Sequence, residues 1–395
     1  MKLAIIGVGQ AGGKILDRLL EYDDTRNTGF VGHAVAVNSA KSDIGGLTRV
    51  PHENRLLVGQ SVVGGHGTGT DPDAGEQCVE EDIHEITDVI SRVPASQLDA
   101  FLVIAGLGGG TGSGGAPVIA DRLTEIYAEP VYGLGILPAS DEGGIYSRNA
   151  ANSLQRFVDS TDSVLLFDNG SARTSGETLS EGYASINEEI ATRFGALFSA
   201  GEIEAMAGDV AESVVDSSEI INTLGESGIT SIGYASEPVE TNDSGGGGGL
   251  LDRFRSSEDT AGFEEAGGNP NQITSLVRRA TLGELTLPCA IDSTSRALLI
   301  VTGPPEHLSR KGIDNARDWL ETETGCLEVR AGDYPLPNES RIAALVVLSG
   351  VTDVPRIEEI QSLASDSEAV EAEREAESED EFEELLEYGD DEAAE

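Results

Sequence analysis

A chain of 395 residues with 38% hydrophobic side chains is long enough for two domains with cores of their own. Its 71 acidic residues outnumber 25 basic ones, a formal net charge of −46, and its lysines are Lys2, Lys14, Lys41 and Lys311 alone. Such a field excludes nucleic acid and an anionic membrane as direct partners, and it calls for molar salt, whose Debye length of about 3 Å screens the self-repulsion.

A disordered acidic tail does not account for the charge, because the acids are spread along the whole chain. A high-salt cytoplasm is the expected setting. Cys78, Cys289 and Cys326 are odd in number and far apart, so no disulfide framework is expected. The five histidines lack ligand spacing, and no metal site on protein nitrogen or sulfur is expected. The N-terminus opens on a strand rather than a signal peptide, and no apolar run is long enough to span a membrane.

The first element is the apolar run Leu3–Gly7, followed at once by Gly7-Val8-Gly9-Gln10-Ala11-Gly12 and a periodic helical segment, Gln10–Tyr22. Read literally this is G-x-G-x-x-G after a strand, the dinucleotide fingerprint. Further strands are expected at His33–Asn38, Ala100–Ala105, Val131–Leu137 and Ser163–Phe167. Helices are expected at Asp73–Val93, Gly114–Tyr127 and Gly143–Val158. Alternating units of this kind predict a doubly wound parallel sheet, with ligands outside the carboxyl ends of the strands.

Three loops at those ends are glycine-rich. The densest, Gly108-Gly109-Gly110-Thr111-Gly112-Ser113-Gly114, joins a buried strand directly to a helix. Successive glycines let backbone N–H groups converge on one anion, and the helix adds its positive end. The third, 62–75, ends on Asp71-Pro72, an N-cap followed by proline at the first helical position. Three such loops suit a polyphosphate better than a pyrophosphate. The dinucleotide reading also wants an acid after the second strand, where Asn38-Ser39-Ala40-Lys41 stands instead. A P-loop fares no better, since Ile15 follows Lys14 where Ser or Thr is required.

Beyond these loops, Leu179–Ala200 reads as a helix of five or six turns, with Tyr183, Ile186, Ile190, Phe194, Leu197 and Phe198 on one stripe. A second helical segment, Asp209–Leu224, follows. A new α/β region then has strands at Thr230–Tyr234, Ala297–Thr302, Cys326–Arg330 and Ile342–Leu348, and helices at Asn271–Leu282 and Glu306–Thr324. Residues 239–268, with five consecutive glycines, read as a flexible insertion. The glutamate-rich end reads as disordered; within it Phe382, Leu385, Leu386 and Tyr388 form either a docking edge for a protein partner or incidental apolar points on a solubilising tail.

"GGGTGSG" at 108–114 resembles the signature loop of the tubulin/FtsZ superfamily of GTPases. "GQAGGKI" at 9–15 resembles the tubulin form of the first loop, "AVAVNSAKSDI" at 34–44 the second and "GTGTDPDAG" at 67–75 the third, which senses the γ-phosphate. The overlap runs to about residue 350. Low lysine and the tubulin-like first loop point within the superfamily to the archaeal tubulin-like family CetZ, in a halophilic archaeon. The resemblance implies a GTP-binding domain over 1–178, a central helix and connection over 179–208, a C-terminal activation domain over 209–350 and an acidic disordered tail over 351–395.

It further implies GTP or GDP with Mg²⁺ held through phosphates and water. The GTP contacts it implies are Gln10, Ala11, Gly12, Gly13, Lys14, Asn38, Gly67, Thr68 and Gly69, with Gly108, Gly109, Gly110, Thr111, Gly112 and Ser113 around the phosphates. Glu142 would take the ribose, with Arg148 near by; Asn169 would read guanine; Tyr183 and Asn187, one turn apart, would stack on and bond the base. Asp216 and Glu219 resemble the paired carboxylates that in FtsZ open the helix after the central one. Their i, i+3 spacing equally matches a capping box.

The implied function is a self-polymerising cytoskeletal GTPase that hydrolyses GTP between head-to-tail subunits and controls cell shape, cytoplasmic and cortical, with no membrane insertion. A Rossmann-type NAD-dependent oxidoreductase and an FtsZ-like division GTPase are the alternatives. The tail lacks the anchor peptide that FtsZ uses for its membrane adaptors, which speaks against the second.

Overall fold

A computed structural model describes residues 1–172, 179–200, 215–239, 269–337 and 339–367. Residues 209–214 of the expected second helix, 240–268 of the insertion and the tail from 368, with its Phe382–Tyr388 edge, lie outside the described residues.

The chain opens with β1 (Leu3–Val8), α1 (Gly9–Arg26), β2 (Val31–Asn38), α2 (Lys41–Gly45), β3 (Arg55–Leu57), α3 (Gln60–Val63) and α4 (Pro72–Ile90). It continues through β4 (Ala100–Gly106), α5 (Thr111–Ile126), β5 (Val131–Leu137), α6 (Gly144–Asp159), β6 (Ser163–Asp168), α7 (Asn169–Ala172) and the long α8 (Leu179–Ser199). Then come α9 (Ser217–Leu224), β7 (Ile229–Pro238), α10 (Pro270–Gly283), β8 (Arg296–Gly303), α11 (Arg310–Thr324), β9 (Val329–Pro335) and β10 (Arg341–Val351), and a terminal helix over 355–367.

The strands run in the order β3-β2-β1-β4-β5-β6-β7-β10-β8-β9 within one ten-stranded sheet. From β3 to β6 every pair is parallel, as strands buried on both faces predict. Two register pairs, Val164↔Ile229 and Leu165↔Thr230, continue it into β7, and β10 then lies antiparallel between β7 and β8. The two halves expected as separate domains thus share one sheet.

Both faces are covered. On one, α4, α5, α6, α10 and α11 bury residues such as Val79, Ile119, Phe157, Val277 and Leu320. On the other, α8 packs beside α1 and buries Ile190, Phe194, Leu197 and Phe198 on the stripe the sequence marks. Each fully buried phenylalanine contributes roughly 1.5–3 kcal/mol. The N-terminal ammonium donates to the Phe198 carbonyl at 2.8 Å, which locks the far half of α8 to the start of β1.

Three expectations are corrected. The second helix does not run unbroken to Leu224: Asp216 is extended (φ −109°, ψ 169°) and caps α9, whose first residue is Ser217. The strand expected at Cys326–Arg330 begins at Val329, because Gly325 in the left-handed region ends α11 and Leu327 stands fully in solvent on the turn. Residues 355–367, counted with the tail, are helical, and bury Ile360 and Ala364 on the sheet's flank.

Candidate functional site

The carboxyl ends of β1, β2, β4, β5 and β6 surround a cavity of about 590 Å³. Its floor is the glycine loop between β4 and α5. There Gly108 to Gly112 face the cavity, and α5 points its N-terminus into it. The first four N–H groups of a helix have no partner within the helix, so this end attracts an anion.

Neighbouring atoms leave no room for a side chain at Gly110, Gly112 and Gly114 of this loop. A Cβ on Gly110 would lie 2.0 Å from Thr68 Oγ1 and 2.8 Å from the Asp71 backbone. Gly9, at φ +72°, approaches so closely that a Cβ there would be 3.0 Å from the Gly112 nitrogen. Asn149 braces the loop from α6, donating to the carbonyls of Gly108 (3.2 Å) and Thr70 (2.8 Å). Pro117 inside α5 deprives the Ser113 carbonyl of its helical donor, and Ser153 Oγ replaces it at 2.8 Å.

The second and third loops are zipped together by a bridge between Ala40 and His66 and by Lys41 N–H on Gly65 O (3.0 Å). Asp71 caps α4, accepting from the N–H groups of Asp73 and Ala74, with Pro72 next, as the sequence indicates. Ser39 Oγ lies 2.6 Å from Thr111 Oγ1, so three loops meet at that hydroxyl. Asp43 accepts from Gln10 Nε2 (3.3 Å) and Asn38 Nδ2 (3.4 Å), which holds one carboxylate on the wall.

At the opposite side, Glu142 Oε1 accepts from Ala139 N–H at 3.0 Å in a tight turn. Asn169 is buried, lines the cavity, and its side-chain oxygen has no hydrogen-bond partner among the described residues. Leaving such an acceptor unpaired costs roughly 1–3 kcal/mol, so a ligand N–H there is favoured. Tyr183 and Asn187 share one face of α8 at the rim, Tyr183 with 37% of its surface exposed and buried Ile186 between them. An anion-binding floor, a carboxylate, a buried amide and an exposed ring in that order match a phosphate, a sugar and a planar base.

Gln10, Ala11, Lys14, Asn38, Gly67, Thr68, Gly69, Gly108, Gly109, Gly110, Thr111, Gly112, Glu142, Asn169, Tyr183 and Asn187 all line this cavity. Four expected residues do not. Gly12 lies under the wall, where a Cβ would sit 2.2 Å from Ile104 O; it packs α1 on β4. Gly13 packs on Leu47. The Ser113 hydroxyl turns back to the carbonyls of Gly109 and Gly110, and so is not a donor to the cavity. Arg148 is on α6, off the lining. The sequence reading also missed Ser42, Asp43, His66 and Tyr146 on the wall.

Asp216 and Glu219 lie outside the cavity: Val215 N–H donates to the Asp333 carbonyl of β9 and α9 packs on β8 and β10, which places the pair at the other side of the sheet from the strands that end at the cavity. Asp216 Oδ1 accepts from Ser218 N–H (2.8 Å) and Glu219 N–H (3.1 Å), so the Asp216 half of the capping box is formed. The Ser218 hydroxyl bond and these N–H groups hold the exposed Asp216 carboxyl below its ordinary value. Burial, then the Asp216 charge, push that of half-buried Glu219 up. The pair is therefore fixed in place and unequal in acidity.

Residues 2–175 match the model of the Tubulin/FtsZ family GTPase domain, and residues 176–366 that of the tubulin-like CetZ C-terminal domain. The tubulin-like protein CetZ1 of Haloferax volcanii is 56% identical over 368 residues, 93% of either chain. Among solved structures, a GDP-bound CetZ1 monomer from H. volcanii superposes with a TM-score of 0.80 at 52% identity, over 93% of this chain and all of that one. A GTPγS-bound CetZ2 protofilament from the same organism gives 0.81 at 41% identity, over 94% of this chain and all of that one.

Proposed function

The chain belongs to the tubulin-like CetZ family, and from that premise we propose that it is a polymerising cytoskeletal GTPase that hydrolyses GTP only between head-to-tail copies of itself. The observation that carries this is separation. The cavity lies at the carboxyl ends of β1 to β6 and the carboxylate pair on α9 against β10, β8 and β9, strands that lie beyond β7 in the sheet, so one molecule does not bring its own carboxylates to its own phosphates. A heterologous contact, in which one end meets the opposite end of the next copy, brings them together and repeats without closing. The CetZ2 relative described as a protofilament supports such an arrangement.

In this reading the glycine loops and the start of α5 hold the phosphates, Glu142 the ribose, and Asn169, Tyr183 and Asn187 the base. Guanine offers an N–H edge to the orphaned Asn169 oxygen. Magnesium would be held through the phosphates and water, with Asp43 a carboxylate on the same wall, and would supply charge neutralisation. Asp216 and Glu219 of the next copy orient and polarise the attacking water.

No helix among the described residues is long and apolar enough to cross a membrane. We place the protein in a high-salt cytoplasm, in keeping with its charge of −46 and its Haloferax relatives, and assign it a part in cell shape. The test is phosphate release against protein concentration in molar KCl. The expected rate per molecule rises steeply with concentration; a flat rate overturns hydrolysis between copies.

A further inference from the structure

Arg356 opens the terminal helix, is nine-tenths buried, and bonds both loops on the sugar-and-base side of the cavity. Its Nη2 donates to the Pro138 carbonyl at 2.6 Å and its Nε to Asp168 Oδ1 at 3.3 Å, 188 residues away in sequence. Its Nη1 lies 2.7 Å from Glu359 Oε2, one turn along its own helix.

Pro138 lines the cavity and precedes Ala139, whose N–H fixes Glu142. Asp168 precedes Asn169, and its Oδ1 also accepts the Gly170 N–H at 3.0 Å, which shapes the turn carrying the Asn169 amide. Both of these groups thus sit one residue from an atom that Arg356 holds. At the other end of the same helix, Ser367 Oγ lies 3.4 Å from where a Gly144 Cβ would be, against the start of α6. The helix therefore runs along the outside of the two loops and ties them to each other.

We propose that Arg356 is a positioning residue for guanine recognition: by bridging Pro138 and Asp168 it sets the spacing between Glu142 and Asn169, and it makes the terminal helix a working part of the nucleotide site. This rests on the guanine-nucleotide reading above. A planar fork with donors on three nitrogens spans a carbonyl and a carboxylate at once, whereas an ammonium on a flexible stem does not. Asp168 from β6 and Glu359 from its own helix are the carboxylates paired with Arg356.

The experiment measures affinity for GDP and for ADP in molar KCl, by competition with a fluorescent GDP, alongside melting temperature without nucleotide. Arg356→Met removes the fork and leaves the buried Asp168 uncompensated, which lowers stability; the double variant D168N/R356M removes that stray charge, and R356K restores charge without the fork. In each folded variant the expected result is a GDP affinity at least tenfold weaker and a narrowed GDP-over-ADP preference, with R356K failing to restore the preference. Added to Asn169→Ala, R356M should narrow the preference little further, because both act through one amide.

A folded R356M or D168N/R356M that keeps wild-type GDP affinity and preference overturns the proposal, as does a loss fully additive to that of N169A. A wild-type protein with no preference for GDP breaks the guanine reading itself and the proposal with it, an outcome read before any variant is made.

Discussion

The cavity and the Asp216–Glu219 turn are built on opposite principles. At one, five strand ends, six loops and the start of α5 enclose a cavity whose backbone atoms are too closely packed for side chains on several of its glycines. At the other, two carboxylates stand on a single capped turn, one exposed and one half-buried. The first is complete within one chain and can hold a polyanion alone. The second offers two carboxylates of unequal acidity. If both take part in hydrolysis, as proposed, a lone chain is inert and a stacked one active, and geometry rather than a moving part ties hydrolysis to assembly.

The sharpest way to break that comparison is to remove chemistry at one site and look for loss of binding at the other. Glu219→Ala should lower GTP hydrolysis by roughly 10²–10⁴-fold, the range a positioned acid–base group supplies, with GTP affinity and filament formation seen by electron microscopy unchanged. The cap itself survives, since Asp216 still accepts from Ser218 and Glu219 N–H groups. A parallel loss of GTP affinity would show that the two are not separate sites.

The converse substitution addresses the crowded site. Gly110→Ala puts a methyl 2.8 Å from the Asp71 backbone nitrogen and oxygen, atoms that cannot step aside. The expected result is a GTP affinity lower by about tenfold or more, with a lower melting temperature. Gly109→Ala separates the causes, because the nearest protein atom to its Cβ is Gly106 O at 3.9 Å. It should leave the melting temperature alone, so that any loss of affinity reports contact with the ligand. Equal melting temperatures for the two variants would mean that the loop is not held as tightly as its contacts imply.

Local patterns account for what was legible in the sequence. Apolar runs marked the core strands and the stripe of α8, and glycine density with Asp71-Pro72 marked the loops that meet the cavity. What escaped depends on chain brought from a distance. His66 reaches the wall through its bridge to Ala40, and Arg356 pairs with an aspartate 188 residues away, inside a segment whose composition reads as tail. Spacing alone also cannot say which glycine faces a ligand: Gly9 meets the signature loop and Gly12 packs on β4, yet both satisfy the same fingerprint. A carboxylate two residues past Lys41, just after a strand end, was the available signal for Asp43.

The smallest expected effect distinguishes the two carboxylates from each other. Burial and the neighbouring Asp216 charge raise the Glu219 carboxyl above its ordinary value, while Asp216 is held below its own. If both must be ionised to polarise water, Glu219 is the first to be lost on acidification, so hydrolysis should fall at a pH above the ordinary glutamate range. Asp216→Asn keeps an N-cap side chain, since asparagine accepts the same N–H bonds, but removes the like charge. The Glu219 carboxyl then drops toward its ordinary value, and the acid limb of the rate profile should move to lower pH even though the maximum rate declines. Phosphate release across pH at fixed filament mass reads this directly. A limb that stays in place would mean that burial alone sets Glu219, and one that moves upward would contradict the like-charge coupling.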